Sequence, residues 1–118
     1  GMLKVIFDQV GTPTYAGDLA AAIVHILPQI RPGMKSIYHF SNEGVCSWYD
    51  FARAIIEMSG LSCDIRPIES WEYPSKAARP PYSVLNKAKI KKDFGIRIRH
   101  WRDALRECLT GWKNIPII

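Results

Sequence analysis

The sequence lacks several features that would assign it to a familiar class of protein. No apolar run approaches the ~18 residues that a membrane-spanning helix needs, and no signal-peptide pattern leads the chain. The cysteines Cys46, Cys63 and Cys108 are odd in number and include no C-x-x-C pair. A disulfide framework or a zinc site is therefore not expected. These absences favour a cytoplasmic protein with three buried, unreactive thiols.

The residue sets of common enzyme classes are also missing. The chain has no glycine-rich phosphate loop of the dinucleotide or P-loop type. None of its five tyrosines is followed four residues later by a lysine, so it has no Tyr-x-x-x-Lys pair. Its three histidines share no spacing typical of a metal site or a triad. We therefore expect no catalytic residue, no cofactor-binding residue and no metal ligand in this chain.

What is present is typical of one small globular domain. The 118 residues agree with the usual roughly 100–200 residues per domain. An apolar content of 47% and a charged content of 23% are those of an ordinary folded protein rather than a disordered one. The net charge of +5 arises mostly from basic residues in the C-terminal third, without a recognised nucleic-acid-binding motif. Neither nucleic acid nor a membrane is therefore expected as a partner.

Hydrophobic periodicity predicts an α/β (α+β) fold with about four helices and two to three short strands. The domain is expected over residues 3–110, with an apolar tail over residues 111–118. The first strand is apolar almost throughout, which is typical of a strand covered on both faces. The predicted strands occupy residues 3–7, 36–40 and 63–68, the helices residues 16–27, 48–59, 87–94 and 101–110, and a single helical turn residues 70–73.

Particular side chains predict where the helices begin and end. Thr14, Ser47 and Asn86 are predicted N-caps, because each side-chain oxygen can accept a hydrogen bond from an amide of the first turn. Asp50 can reach back to the backbone of Ser47 and complete a capping box. The predicted helix ends are the glycines Gly60, Gly95 and Gly111.

The turn between the first strand and the first helix is one candidate ligand site. Gln9 precedes Gly11, which allows close approach of the backbone. The hydroxyls of Thr12 and Thr14 can donate to phosphate or sugar oxygens, and the following helix start favours an anion by roughly 0.3–1 kcal/mol. The alternative is a plain capped helix start that binds nothing.

Two later segments are further candidates. Trp48 can stack on a base or a sugar, or it can be a core residue of its helix. Arg79 lies in a segment with three prolines that should be extended and stiff, so its guanidinium would lose little entropy on engaging a phosphate. Ser83 adds a hydroxyl. The alternative for Arg79 is a salt bridge that pins this segment to the domain.

In this order, the three segments resemble the dTDP-4-dehydrorhamnose reductases, a family of extended short-chain dehydrogenase/reductases. The resemblance covers residues 3–109, and the combination is specific although each piece alone is weak. It rests on Asp8-Gln9-x-Gly11-x-Pro13-Thr14 with Asp18-Leu19-Ala20, on Tyr38-His39-Phe40-Ser41-Asn42-Glu43-Gly44 with Ser47-Trp48-Tyr49-Asp50-Phe51-Ala52, and on Arg79-Pro80-x-Tyr82-Ser83-x-Leu85 with the closing Trp101 to Leu105.

In that family an N-terminal Rossmann domain binds NADPH and supplies the Tyr-x-x-x-Lys pair, and the C-terminal part helps to hold the dTDP-sugar. Hydride goes to the C4 ketone of dTDP-4-dehydro-L-rhamnose. The resemblance implies that this chain is the small C-terminal substrate-binding domain without the Rossmann domain, inactive alone but part of an oxidoreductase. By the same resemblance, the substrate-binding residues would be Gln9, Thr12, Thr14, Trp48, Arg79 and Ser83.

Separation from the Rossmann domain would leave apolar surface and strand edges uncovered, so the chain would tend to pair with itself as a homodimer. The second hypothesis is a non-catalytic relative of the kind found as the regulatory subunit of methionine adenosyltransferase. The third is a small basic nucleic-acid binder, whose affinity would fall steeply with salt.

Overall fold

The computed structural model describes residues 1–113; of the tail predicted over residues 111–118, residues 114–118 lie outside the described residues. Within residues 1–113 the chain has four α-helices and four short strands, which confirms the predicted α/β class. In chain order the elements are β1 (Met2–Ile6), β2 (Val10–Gly11), α1 (Ala16–Ile26), β3 (Cys46–Ser47), α2 (Trp48–Ser59), β4 (Asp64–Ile68), α3 (Ala88–Phe94) and α4 (Trp101–Lys113), with 3-10 turns at Leu27–Gln29 and Ser70–Glu72.

The strands form two separate pairs. β1 and β4 are parallel, in a register that runs from Met2 opposite Asp64 to Ile6 opposite Ile68. β2 and β3 are antiparallel, with Val10 opposite Ser47. The predicted strand at residues 63–68 is therefore confirmed, whereas the expectation that the first strand is covered on both faces is wrong for the described residues. The side chain of Leu3 is exposed, although β4 and α2 pack against other parts of this strand.

The core lies between α2 and α4. Cys46, Ala54, Trp101 and Leu105 are buried together, and the ring of Phe51 meets that of Trp101 edge-on at a centroid separation of 6.0 Å. Trp48, for which the sequence left a core position on α2 open, is 55% exposed. The expectation of three buried thiols is met only in part, because Cys46 is buried while Cys63 and Cys108 are only half-buried.

The helix boundaries agree with the prediction where the signal is local. The Ser47 hydroxyl accepts a hydrogen bond from the Asp50 amide at 3.0 Å, and the Asp50 carboxylate accepts one from the Ser47 amide at 3.1 Å, so the capping box is confirmed. α2 and α3 end at Gly60 and Gly95, both left-handed, as predicted. Asn86 lies one residue before the N-cap of α3, although its side chain still accepts from the Ala88 amide at 2.9 Å.

Three local predictions are wrong. Tyr15, not Thr14, is the N-cap of α1, because the Thr14 hydroxyl turns back toward the carbonyl of Thr12. Residues 36–40 form no strand, because no other strand lies beside them in the described part of the chain. α4 does not end at Gly111 but continues through Lys113, because a single glycine inside a helix costs only about 1 kcal/mol.

The helix α1 is mostly uncovered. Ala22 is its one buried residue, while Ile23, Val24 and Leu27 are exposed. None of the helices formed by residues 1–113 has both the length and the apolar character needed to cross a bilayer.

Candidate functional site

A cleft of about 350 Å³ lies beside β2, between the start of α2 and the segment that contains Arg79. It brings together five of the six residues predicted to bind a ligand: Gln9, Thr12, Trp48, Arg79 and Ser83. Thr14 is the exception. It lines a neighbouring, more apolar groove together with Trp101, Leu105 and Trp112.

The strand β2 explains why these distant residues meet. On one edge Val10 pairs with β3. On the other edge the Val10 amide donates to the carbonyl of Pro81 at 2.9 Å, and the Ser83 amide donates to the carbonyl of Val10 at 3.0 Å. This two-residue strand therefore joins the helix start at Trp48 to the proline-rich segment.

Gly11 is required by packing within the protein. A Cβ atom at this position would lie 2.7 Å from the hydroxyl oxygen of Ser83, closer than real Cβ contacts come. Ser83 in turn donates its hydroxyl to the carbonyl of Val10 at 3.2 Å. The close approach anticipated at Gly11 is thus to the Ser83 side chain, which it holds against the strand.

The Thr12 hydroxyl also has a partner inside the protein. It donates to the carbonyl of Gly44, which adopts the left-handed region at φ 91°. A side chain on Gly44 would collide with the ring of His100, so glycine is needed there. The hydroxyl hydrogens of Thr12 and Ser83 are both used within the protein. Toward a ligand, these two hydroxyls can therefore accept hydrogen bonds but not donate them.

Arg79 is the free charged donor in the cleft. Within residues 1–113 its guanidinium makes no ion pair or hydrogen bond, so the alternative of a pinning salt bridge is not supported in the described part of the chain. Gln9 contributes an amide, although one of its hydrogens goes to the hydroxyl of Ser70 at 2.9 Å. The one unengaged cation in the cleft, Arg79, thus lines the same cleft as the indole of Trp48.

Cys46 lines the cleft as a neutral thiol. Burial, with a smaller contribution from the negative charge of Asp50, raises the pKa of Cys46 to about 11. A thiolate nucleophile is therefore absent at neutral pH. Among residues 1–113, no three His, Cys, Asp or Glu side chains lie close enough together to hold a metal ion.

A buried polar network holds the loop behind the cleft. Asn42 is 0% exposed; it accepts a hydrogen bond from the Tyr15 amide at 2.8 Å and donates to the Asp18 carboxylate at 2.6 Å. The Arg99 guanidinium donates hydrogen bonds to the same carboxylate from two nitrogens, at 2.7 and 2.8 Å. These bonds from Arg99 lower the pKa of Asp18, against the opposing effect of burial.

A second ionic cluster follows Asn42 in the chain. The Glu43 carboxylate pairs with the buried Lys87 at 3.3 Å and with Lys91. Lys91 contributes most to the lowered pKa of Glu43. Sequence reasoning missed these networks, although Asn42 and Glu43 stand inside one of the quoted motifs. The signal in the sequence that could have indicated them is the polar run Ser41-Asn42-Glu43, which follows the predicted strand at residues 36–40.

Comparison with known proteins identifies relatives that match nearly the whole chain. The family described as the RmlD substrate binding domain matches residues 1–114. The spore coat polysaccharide biosynthesis protein SpsK of Bacillus subtilis is 51% identical over 107 residues, which are 91% of this chain and 36% of SpsK. A dTDP-4-dehydrorhamnose reductase of Mycolicibacterium smegmatis is 39% identical over 113 residues, 94% of this chain and 34% of that protein.

The fold also matches a solved structure, that of dTDP-4-dehydrorhamnose reductase from Bacillus anthracis in complex with NADP. It has a TM-score of 0.85 and 28% identity, covering 93% of this chain and 38% of that one. The chain thus spans about a third of the length of the curated relatives it matches. The named reductases do not support the hypothesis of a regulatory subunit. With the family match across residues 1–114, these relatives establish that the chain belongs to the RmlD substrate binding domain family.

Proposed function

We propose that this chain is the sugar-nucleotide-binding domain of an NADPH-dependent dTDP-4-dehydrorhamnose reductase, acting in dTDP-L-rhamnose biosynthesis in the cytoplasm. The observation that carries the proposal is the cleft that the unpaired guanidinium of Arg79 and the half-exposed indole of Trp48 both line. A nucleoside diphosphate sugar offers an anion for the first and a flat ring for the second.

The roles of the residues follow from their free atoms. Arg79 would pair with the diphosphate, because a planar guanidinium binds phosphate oxygens in a bidentate manner. Trp48 would stack on the thymine base or the sugar. Thr12 and Ser83 would accept hydrogen bonds from ligand hydroxyls, and Gln9 would donate its remaining amide hydrogen. We keep Thr14 as a proposed contact from the adjoining groove.

The chemistry of reduction would come from elsewhere in the protein. The chain has neither the Tyr-x-x-x-Lys pair nor a dinucleotide loop, so it would hold the sugar while NADPH, bound to an N-terminal Rossmann domain, delivers hydride. On this proposal the chain alone is inactive. Its work is to orient the C4 ketone and to raise affinity through distant phosphate contacts.

The uncovered apolar surface fits a neighbouring domain. Val24 on α1 is 67% exposed and Ile37 is 80% exposed, both large apolar side chains. Exposed large apolar side chains, where they form a patch, are typical of an interface. We propose that it packs against the Rossmann domain, and that the chain by itself pairs with a second copy through the same surface.

Calorimetric titration of the chain with dTDP and with dTDP-L-rhamnose tests the binding proposal. Arg79→Ala should weaken binding at least about 10-fold, since a hydrogen bond to a charged group contributes about 1.5–3 kcal/mol. The matched control is Arg106→Ala, because Arg106 lies on the exposed face of α4, where its guanidinium pairs with Asp103 at the surface. A wild-type chain that binds neither ligand would contradict the proposal.

Two further measurements separate the alternatives. Joined to its N-terminal Rossmann domain, the chain should oxidise NADPH with dTDP-4-dehydrorhamnose, and Arg79→Ala should raise KM more than it lowers kcat. A mixed-sequence oligonucleotide at low salt should not bind. Binding there that falls steeply with salt would favour the nucleic-acid hypothesis instead.

A further inference from the structure

The segment that carries Arg79 is attached at both of its ends to one short stretch of chain, residues 8–10. At its start, the Asp8 carboxylate accepts hydrogen bonds from the Ser70 amide at 3.0 Å and the Ser70 hydroxyl at 2.7 Å, and Gln9 donates to that hydroxyl. At its end, Val10 exchanges backbone hydrogen bonds with Pro81 and Ser83. Residues 71–82 therefore form a closed loop, within the about 6–16 residues usual for Ω-loops.

This 71–82 loop has little else to hold it. Every residue from 71 to 82 is exposed, and the side-chain bonds within it are short-range, as between Ser75 and the carbonyl of Ala77. Its prolines restrict the conformations that the loop can sample. The attachments at its two ends thus set where Arg79 lies relative to the cleft.

The attachment at Ser70 differs from the one at Pro81. The latter is mainly backbone pairing, with the Ser83 hydroxyl as an added donor to Val10, whereas the former depends on the carboxylate of Asp8 and on Ser70. Charge-assisted bonds of this kind are stronger than neutral ones. The bonds from Ser70 lower the pKa of Asp8, which is therefore ionised at neutral pH.

We propose that Asp8 and Ser70 are positioning residues, which close the 71–82 loop and so hold Arg79 over the cleft. Neither needs to touch the ligand. The inference rests on the proposed function, because it takes Arg79 to be the group that meets the diphosphate. Loss of the attachment leaves Arg79 present but free to sample positions away from the cleft, and this lowers affinity.

The first test is the affinity for dTDP, measured by calorimetry. Asp8→Asn should weaken binding about 5- to 10-fold, and Ser70→Ala less, because the Ser70 amide remains as a donor. The matched control is Asp64→Asn, which makes the same chemical change at an exposed ion pair with Arg66. Unchanged affinity in Asp8→Asn, with normal wild-type binding, overturns this inference alone, whereas failure of the wild-type chain to bind overturns the proposed function.

A double variant shows whether Asp8 acts through Arg79. If it does, Asp8→Asn added to Arg79→Ala should weaken binding no further than Arg79→Ala alone. A purely structural role would make the two losses add, and that result contradicts the inference.

Tryptic cleavage in the absence of ligand gives an independent readout. The bond after Lys76 lies in the loop, while the bond after Arg79 is protected by Pro80. Asp8→Asn should speed cleavage after Lys76 several-fold but leave cleavage after Lys35, in another exposed segment, unchanged. Equal acceleration at both bonds indicates general destabilisation, and no acceleration indicates that the attachment does not hold the loop; either overturns the inference.

Discussion

The half of the domain built on α2 and α4 differs from the two elements α1 and β1, although both sets are rich in apolar residues. In the first, Trp101 and Ala54 are buried and the start of α2 is fixed by a capping box. In the second, the large side chains of Leu3, Ile23 and Val24 stay exposed. The comparison teaches that apolar periodicity indicates which surface is to be covered, but not whether this chain covers it.

The largest expected effect tests the buried half. Trp101→Ala should lower the free energy of unfolding by about 3–5 kcal/mol, because it leaves a cavity against Phe51 and Leu105. The matched control is Trp71→Ala, whose side chain is exposed and which should change stability by about 0.5 kcal/mol at most. Urea denaturation followed by circular dichroism measures both. Equal losses would mean that the α2–α4 contact is not the core.

A smaller effect tests how α1 is tied to the rest of the chain. The pKa of Asp18 is lowered in the folded protein, so the unfolded chain binds more protons in acid, and stability is lost as the pH falls from about 4 through the folded-state pKa. Arg99→Gln should reduce this acid-side loss, because the main cause of the lowered pKa is removed. Free energies of unfolding between about pH 5 and pH 3 measure it.

The control for the Asp18–Arg99 pair is Arg102→Gln, which removes an exposed ion pair with Glu57. It should leave the pH dependence close to that of the wild type, because exposed pairs contribute little. An acid-side slope that Arg99→Gln leaves unaltered would contradict the role given to this pair.

The smallest expected effect concerns the exposed face. Val24→Ser should change the free energy of unfolding by about 0.5 kcal/mol or less, because the side chain already meets solvent. The same change should reduce self-association, measured by sedimentation of the chain at increasing concentration. A large loss of stability in the monomer would show that this surface is covered within the chain.

Sequence reasoning succeeded where the determining contacts are short-range. The capping box at Ser47 joins residues three positions apart, and the left-handed end at Gly60 depends on one residue. It failed for residues 36–40, because a β-propensity becomes a strand only beside a partner. It likewise placed Thr14 at the N-cap, where the backbone puts Tyr15 instead.

The sequence predicted which residues line the cleft better than it predicted the hydrogen bonds that they make. The residues that line the cleft were separate candidates by their chemistry, and only the resemblance joined them into one site, since no spacing rule joins Gln9 to Arg79. The bonds that use up the hydroxyls of Thr12 and Ser83 could not be predicted, because they depend on a backbone carbonyl at Gly44 and on the pairing of β2. Asn42 was missed because its three partners come from distant parts of the chain.

The strand β2 has one further consequence, since it is bonded along both edges to opposite walls of the cleft. A single residue, Val10, thus joins Pro81 to Ser47, and Trp48 follows Ser47 directly in the chain. In a variant whose other tryptophans are replaced by phenylalanine, we expect the fluorescence of Trp48 to change when dTDP is added, which gives an optical measure of occupancy.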